Sequence, residues 1–113
     1  MLTKWLAVSC HRLRAISYDP SMEFEWDESK AKSNLKKHGV SFNDAKTVFD
    51  NLLAVIFDDE AHSVGEKREV MIGHSQNNRL LLVAFTERPN AIRITSARLA
   101  TRREREDYEQ NAF

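Results

Sequence analysis

The spacing of apolar residues changes several times along this chain, and each change marks an element. Phe24 and Trp26 alternate with Glu23, Glu25 and Asp27, the two-residue period of a short strand with one apolar side. Asp27 then stands where an N-cap belongs, ahead of a helix over Glu28–His38. In that helix Ala31, Leu35 and His38 form one stripe, and Lys30, Lys32, Lys36 and Lys37 cover much of the rest. Gly39 ends it, because glycine accepts the left-handed conformation of a helix stop. Lys36, Lys37 and His38 suit the negative end of the helix dipole. Ser41 opens a second short helix, with Asp44 near the capping-box position and Ala45, Val48 and Phe49 as its apolar side; it ends near Asp50 and Asn51.

The second half has the patterns of a sheet. Residues 52–57 predict a buried strand and 58–65 a polar loop. Residues 68–74 alternate, with Arg68, Val70, Ile72 and His74 on one side. Ser75-Gln76-Asn77-Asn78 signals a hairpin turn. Residues 79–86 are apolar on both sides, as in a central strand, and 87–90 form another turn. Residues 92–98 alternate, with Ile92, Ile94 and Ser96 opposite Arg93, Thr95 and Ala97; residues 99–110 are helix-prone and highly charged. The order β-α-α-β-β-β-β-α predicts an α+β domain: a small antiparallel sheet with flanking helices gathered on one face. Residues 1–21 hold no sustained period and end in the breaker Tyr18-Asp19-Pro20-Ser21, so they read as an N-terminal extension outside a domain at 22–113. An additional helix packed on the domain is the alternative.

Composition narrows the function classes. A chain of 113 residues with 42% hydrophobic and 30% charged content fits one folded domain and excludes a disordered polar tail. Its apolar runs are far shorter than the roughly 20 residues of a spanning helix. The lone cysteine, Cys10, leaves no internal disulfide and fits a reducing cytoplasm. Charge sums to zero, yet residues 93–105 hold five arginines against one acid, Glu104. A neutral protein with such a patch can still grip a phosphate backbone.

The histidines His11, His38, His62 and His74 are scattered, with no metal-ligand spacing. Phosphate-binding glycine loops and the nucleophile elbow are missing as well. No cofactor is therefore expected. What remains is Arg68, Arg93 and Arg98, each on or beside a strand, where an unpaired charge is costly. Their planar forks match phosphate oxygens. Converging on one sheet face, they would stabilise a pentavalent phosphate transition state; the alternative pairs them structurally with Glu66, Glu69 or Asp58. His38 is the leading proton carrier by side-chain type, with Lys37 or Glu66 as substitutes; alternatively His38 only faces the helix dipole or packs under Phe42. Arg98, Arg102, Arg105 and Tyr108 recur at helical spacing as an RNA-binding face, against a solvated helix laced with Arg102–Glu106 and Arg105–Glu109 pairs.

Phe24-Glu25-Trp26-Asp27, Lys30, Asn34, Lys37-His38-Gly39-Val40-Ser41-Phe42 and Ala45 resemble the opening of the BrnT family of type II toxins. Asp58, Arg68, Gly73-His74-Ser75 and Ile92-Arg93-Ile94-Thr95-Ser96-Ala97-Arg98, with Ala100, Glu104 and Tyr108, resemble its closing signature. The likeness runs from about Met22 to Tyr108. It implies a RelE-like ribonuclease fold and a toxin that cleaves RNA and halts translation. It also implies a BrnA-like ribbon-helix-helix antitoxin, through which alone operator DNA is bound, in an assembly that can include a toxin homodimer. The expectation is a metal-independent endoribonuclease in which the RNA 2′-OH attacks the neighbouring phosphate. The rival is a non-catalytic module that acts by binding the antitoxin or a nucleic acid.

Overall fold

The computed structural model describes residues 23–59 and 65–110; the extension expected at 1–21, with Cys10 and His11, and the loop residue His62 lie outside the described residues. The chain order is β1 (Glu23–Glu25), α1 (Glu28–His38), α2 (Phe42–Lys46) running into a 3-10 turn (Thr47–Asp50), β2 (Val55–Asp58), β3 (Glu69–His74), β4 (Leu80–Arg88), β5 (Ala91–Leu99) and α3 (Arg102–Glu109).

The caps that the sequence specifies are formed. The Asp27 carboxylate accepts from the Ser29 and Lys30 amides at 2.8 and 3.1 Å, closing the first turn of α1. The Ser29 hydroxyl and these two amides hold that carboxyl below its ordinary value. Gly39 ends α1 at φ 68°, donating its N–H to the Leu35 carbonyl. The Ser41 hydroxyl accepts from the Asp44 amide at 3.0 Å and starts α2. Asp44 also has a second role: its buried carboxylate accepts from Asn77 at 2.8 Å and Arg79 at 3.1 Å, tying α2 to the β3–β4 hairpin.

The sheet order is β1-β5-β4-β3-β2. Four strands are antiparallel, as short turns between consecutive strands require. β1 departs from the expected antiparallel sheet by pairing parallel to β5, Glu23 opposite Ala91 and Glu25 opposite Arg93. Turn signals constrain only sequence neighbours, and β1 is separated from β5 by the whole domain.

Three further expectations are corrected. The strand expected at 52–57 begins only at Val55, and Leu52 and Leu53 are 99% and 77% exposed. Asn51 diverts the backbone there: its side-chain oxygen accepts from the Leu53 amide at 2.8 Å and its carbonyl from the Ala54 amide at 3.1 Å. The last helix starts at Arg102, not 99, because Thr101 and Glu104 form a reciprocal capping box. Arg98 is therefore a strand residue and cannot continue a helical line to Arg102 and Arg105.

The third correction concerns the layers. α1, α2 and the 3-10 turn cover one sheet face around Phe42, Phe49, Met71, Val83, Phe85 and Ile94. Phe49 sits between Phe24 and Phe85 at ring distances of 5.1 and 5.0 Å. α3 does not join them. Its Tyr108 packs on the other face, against the cluster of Phe57, Val70, Ile72, Leu80 and Leu82. The helices thus divide between the faces, since both sides of β3 and β4 are apolar and each needs cover.

Asn34 fixes α1 against the sheet edge. β1 pairs only as far as Arg93, and no other described strand covers the rest of that edge of β5. The Asn34 amide donates to the Ala97 carbonyl at 2.8 Å and accepts from the Ala97 N–H at 3.1 Å, standing in for a missing strand. It also donates to the Val40 carbonyl at 3.0 Å. Gly73 serves close packing: a Cβ there would meet the Ala54 Cβ at 2.8 Å.

Candidate functional site

A register shift between Ala84 and Phe85 places Ala84 opposite Ser96 and Phe85 opposite Ile94, so Thr95 is the extra residue of a bulge in β5. The bulge changes the phase of the strand. Ile92, Ile94 and Ala97 all reach the core under α1 and α2. Arg93, Ser96 and Arg98 consequently share the opposite face, although an unbroken alternation sets Arg93 against Ser96 and Arg98. This corrects the sidedness expected for 92–98.

On that face lies an open cleft of about 280 Å³ lined by His38, Asp59, Arg68, Val70, Leu82, Ala84, Ser96, Ala97 and Arg98. Three elements deliver its polar groups. Arg68 precedes β3 and reaches Asp59 at 3.6 Å and the Ser96 hydroxyl at 3.4 Å. Arg98, near the end of β5, forms a two-pronged pair with Glu104 at 2.8 and 2.9 Å and donates to the Leu99 carbonyl at 3.2 Å. His38, the last residue of α1, enters from the side that Asn34 anchors.

Glu104 is buried while Arg98 keeps 40% of its side chain exposed. Burial pushes the Glu104 carboxyl up, but the hydrogen bonds from Arg98 and the Thr101 amide outweigh it, and the net direction is below the ordinary value. Glu104 therefore stays ionised and fixes the orientation of the Arg98 fork. Among the described residues, the Nε–H and one Nη2 hydrogen of Arg98 donate to no acceptor.

Of the residues singled out from sequence, the cleft brings together His38, Arg68 and Arg98. Lys37 is exposed beside His38. Arg93 lies on the same face, but its guanidinium meets Glu25 at 3.2 Å. Glu66 is held by Arg88 at 3.1 Å, and Arg88 also reaches Glu25. Arg102 pairs with Glu106 at 3.4 Å, and Arg105 is exposed. Tyr108 is not a free stacking platform. Its hydroxyl donates to the Leu53 carbonyl at 3.0 Å, and its ring meets His74 edge-on at 5.7 Å. Burial pushes its phenol above the ordinary value.

Arg68, Arg93 and Arg98 meet the carboxylates of Asp59, Glu25 and Glu104. The Arg98 partner was legible: Thr101-x-x-Glu104 is a capping-box pattern. Asp59 and Ser96 carry no comparable signal. No group of three or more His, Cys, Asp or Glu side chains suited to a metal ion occurs among the described residues. No described helix is long and apolar enough to cross a membrane.

The profile of the family described as "Ribonuclease toxin, BrnT, of type II toxin-antitoxin system" matches residues 26–104. No curated protein matches the chain. Among solved structures, the chain is similar to the ribonuclease toxin BrnT of Brucella abortus, determined at 1.1 Å. The TM-score is 0.56 at 27% identity, over 72% of this chain and 99% of that one.

Proposed function

The chain belongs to the BrnT family of ribonuclease toxins of type II toxin–antitoxin systems, and from that premise we propose that it cleaves RNA by internal transesterification in the cleft of His38, Arg68 and Arg98. The observation that carries the reading is the convergence of these three side chains, from a helix end, the segment leading into β3 and the end of β5, on one open cleft. The RNA 2′-hydroxyl gives up its proton and bonds to the adjacent phosphorus. The P–O5′ bond breaks, leaving a 2′,3′-cyclic phosphate and a 5′-hydroxyl. His38 carries the proton, with exposed Lys37 as the substitute. Arg68 and Arg98 take up the extra negative charge on the phosphate oxygens. Arg93 acts further along the same face, and Arg102 and Arg105 on α3 contribute binding, while Tyr108 anchors α3 to the sheet in place of the stacking role. A base, an acid and fixed cations suffice for this reaction, so it proceeds without a metal ion. Translation stops as RNA is cut. A BrnA-like ribbon-helix-helix antitoxin silences the enzyme and carries the complex, with a toxin dimer inside it, to operator DNA.

One observation favours a second reading, the non-catalytic binding module: Arg68, Arg93 and Arg98 each already meet a carboxylate. Incubation of purified protein with single-stranded RNA in EDTA separates the two. Fragments with 5′-hydroxyl and 2′,3′-cyclic phosphate ends, lost in His38→Gln and Arg98→Lys, support the nuclease. Tight binding with intact RNA supports the module.

A further inference from the structure

We propose that the Ser96 hydroxyl is a third phosphate contact of the cleft, donating a hydrogen bond to a non-bridging oxygen of the RNA phosphodiester that Arg68 and Arg98 hold. The proposal rests on the reading of the cleft as an RNA site and assigns that site a further group that touches substrate.

Ser96 enters the cleft because of the bulge in β5. Thr95 takes the extra position, and its hydroxyl donates to the Ala84 carbonyl at 3.2 Å. Ser96 then shares the face of Arg98, two residues further on. It brings the one hydroxyl among the described residues that line the cleft. A hydroxyl offers one hydrogen and two lone pairs. At Ser96 a lone pair is already used, because Arg68 Nη2 donates to Oγ at 3.4 Å. The hydroxyl hydrogen must therefore point away from Arg68. It meets no acceptor among the described residues. The Thr95 hydroxyl holds the bulge, whereas the Ser96 hydrogen serves no bond within the described fold.

The groups around that hydrogen decide which ligand suits it. Arg68 and Arg98 bring guanidinium groups to the same cleft, and these only donate. A ligand that satisfies them together with the serine must offer several acceptor oxygens and negative charge, as a phosphodiester does. Asp59 and Glu104 already offset the charge of the two arginines. A neutral donor at a fixed point on the strand carries no such compensation. The side chains of Val70, Leu82 and Ala84, all buried, line the cleft beside it. Water is scarce against such a lining, and a hydrogen bond made there is stronger than in bulk solvent. In the chain from Arg68 N–H through Ser96 O–H to a phosphate oxygen, each donor polarises the next.

The test uses the full-length protein and the RNA linkage that wild type cuts first. That linkage is made with oxygen at both non-bridging positions, or with sulfur at one or the other. Sulfur accepts hydrogen bonds weakly. Ser96→Ala should slow cleavage of the all-oxygen linkage about 10- to 100-fold, the worth of one hydrogen bond to a charged group, with the urea midpoint little changed. It should slow one sulfur diastereomer as much and the other far less, because in the latter the accepting oxygen is already gone. A loss of equal size on all three substrates overturns the contact and leaves the nuclease reading standing, since a serine that only shapes the strand cannot distinguish the two oxygens. Ser96→Ala should also slow cleavage further in an Arg68→Ala background; no added loss there overturns the contact in favour of a serine that merely holds Arg68. If Ser96→Ala does not fold, Ser96→Cys keeps the shape with a weak donor and should show the same pattern. Wild type that leaves RNA intact sinks the nuclease reading, and binding of a labelled single-stranded 2′-O-methyl oligonucleotide then decides. Affinity about tenfold lower in Ser96→Ala supports the contact, and equal affinity overturns it.

Discussion

The two faces of the sheet come from the same strands and are built to opposite ends. Under α1 and α2 the face is sealed, with Phe42, Phe49, Phe85 and Ile94 each at most 3% exposed. Across the sheet, among the described residues, Tyr108 of α3 and Ala100 pack on the apolar cluster of Phe57, Ile72 and Leu80. Past Val70 and Leu82 that face opens into the cleft of Arg68, Ser96 and Arg98. Period-two alternation alone would distribute side chains evenly between the faces. The bulge at Thr95 breaks that symmetry by moving Arg93 to the side of Arg98 while Ile94 and Ala97 stay in the core. One extra residue thus puts Arg93, Ser96 and Arg98 together on the face that opens into the cleft.

If that division is real, variants on the two faces fail in different assays. Phe85→Ala, in the sealed face, should cost about 3–5 kcal/mol of stability, as cavity-forming aromatic truncations do. Urea unfolding measures it, and a loss below about 1 kcal/mol would mean that this face is loosely packed. Arg68→Ala, in the open face, should lower RNA cleavage about 10²–10³-fold with little change in the urea midpoint. Arg98→Lys should act the same way without stranding Glu104, since the charge is kept and the fork is lost. Arg93→Ala, further along the strand, should cost less activity than either. An Arg93 effect equal to that of Arg98 would place the chemistry nearer Glu25.

The sealed face was the more legible in sequence, for a physical reason. Its parts are local: Asp27, Gly39 and Ser41 cap helices through atoms a few residues away, and the hairpins follow from their own turn residues. The cleft depends on distant contacts. The pairing of β1 with β5, the bulge opposite Ala84 and the Arg68–Asp59 and Arg93–Glu25 pairs join segments that no spacing rule connects. His38, Arg68 and Arg98 were recognisable as residue types suited to phosphate chemistry, but that Arg93 and Glu66 lie apart from them was not. Residues 52–57 failed differently. Hydrophobicity predicted burial, whereas Asn51 captures the local amides and turns Leu52 and Leu53 outward.

A smaller effect probes the seam between β3 and the turn before β2. At Gly73 a Cβ would lie 2.8 Å from the Ala54 Cβ and 3.0 Å from Val48 Cγ1. Ala54 belongs to the backbone entering β2 and has no flexible end to yield. Gly73→Ala should therefore destabilise the fold by about 1–3 kcal/mol through overpacking. The cleft lies across the sheet, so cleavage by the folded fraction should be unchanged. A reduced rate in folded protein would show that strain crosses the sheet and that the two faces are coupled.

The smallest effect tests whether Glu104 serves the open face through charge. Its carboxyl lies below the ordinary glutamate value of 4.5 in the folded state, because the Arg98 and Thr101 hydrogen bonds outweigh the burial that raises it. A depressed carboxyl binds fewer protons folded than unfolded, so its contribution is complete above the unfolded value and is lost as pH falls through the folded one. Arg98 is partly exposed, and solvent screening limits the contribution to the order of 1 kcal/mol. The stability gap between wild type and Glu104→Gln should thus be constant near neutral pH and close as the solution is acidified below the ordinary glutamate range. A gap that persists undiminished in acid would assign Glu104 to packing and capping alone. The two-pronged grip on Arg98 would then be a consequence of the fold and not what aims its guanidinium into the cleft.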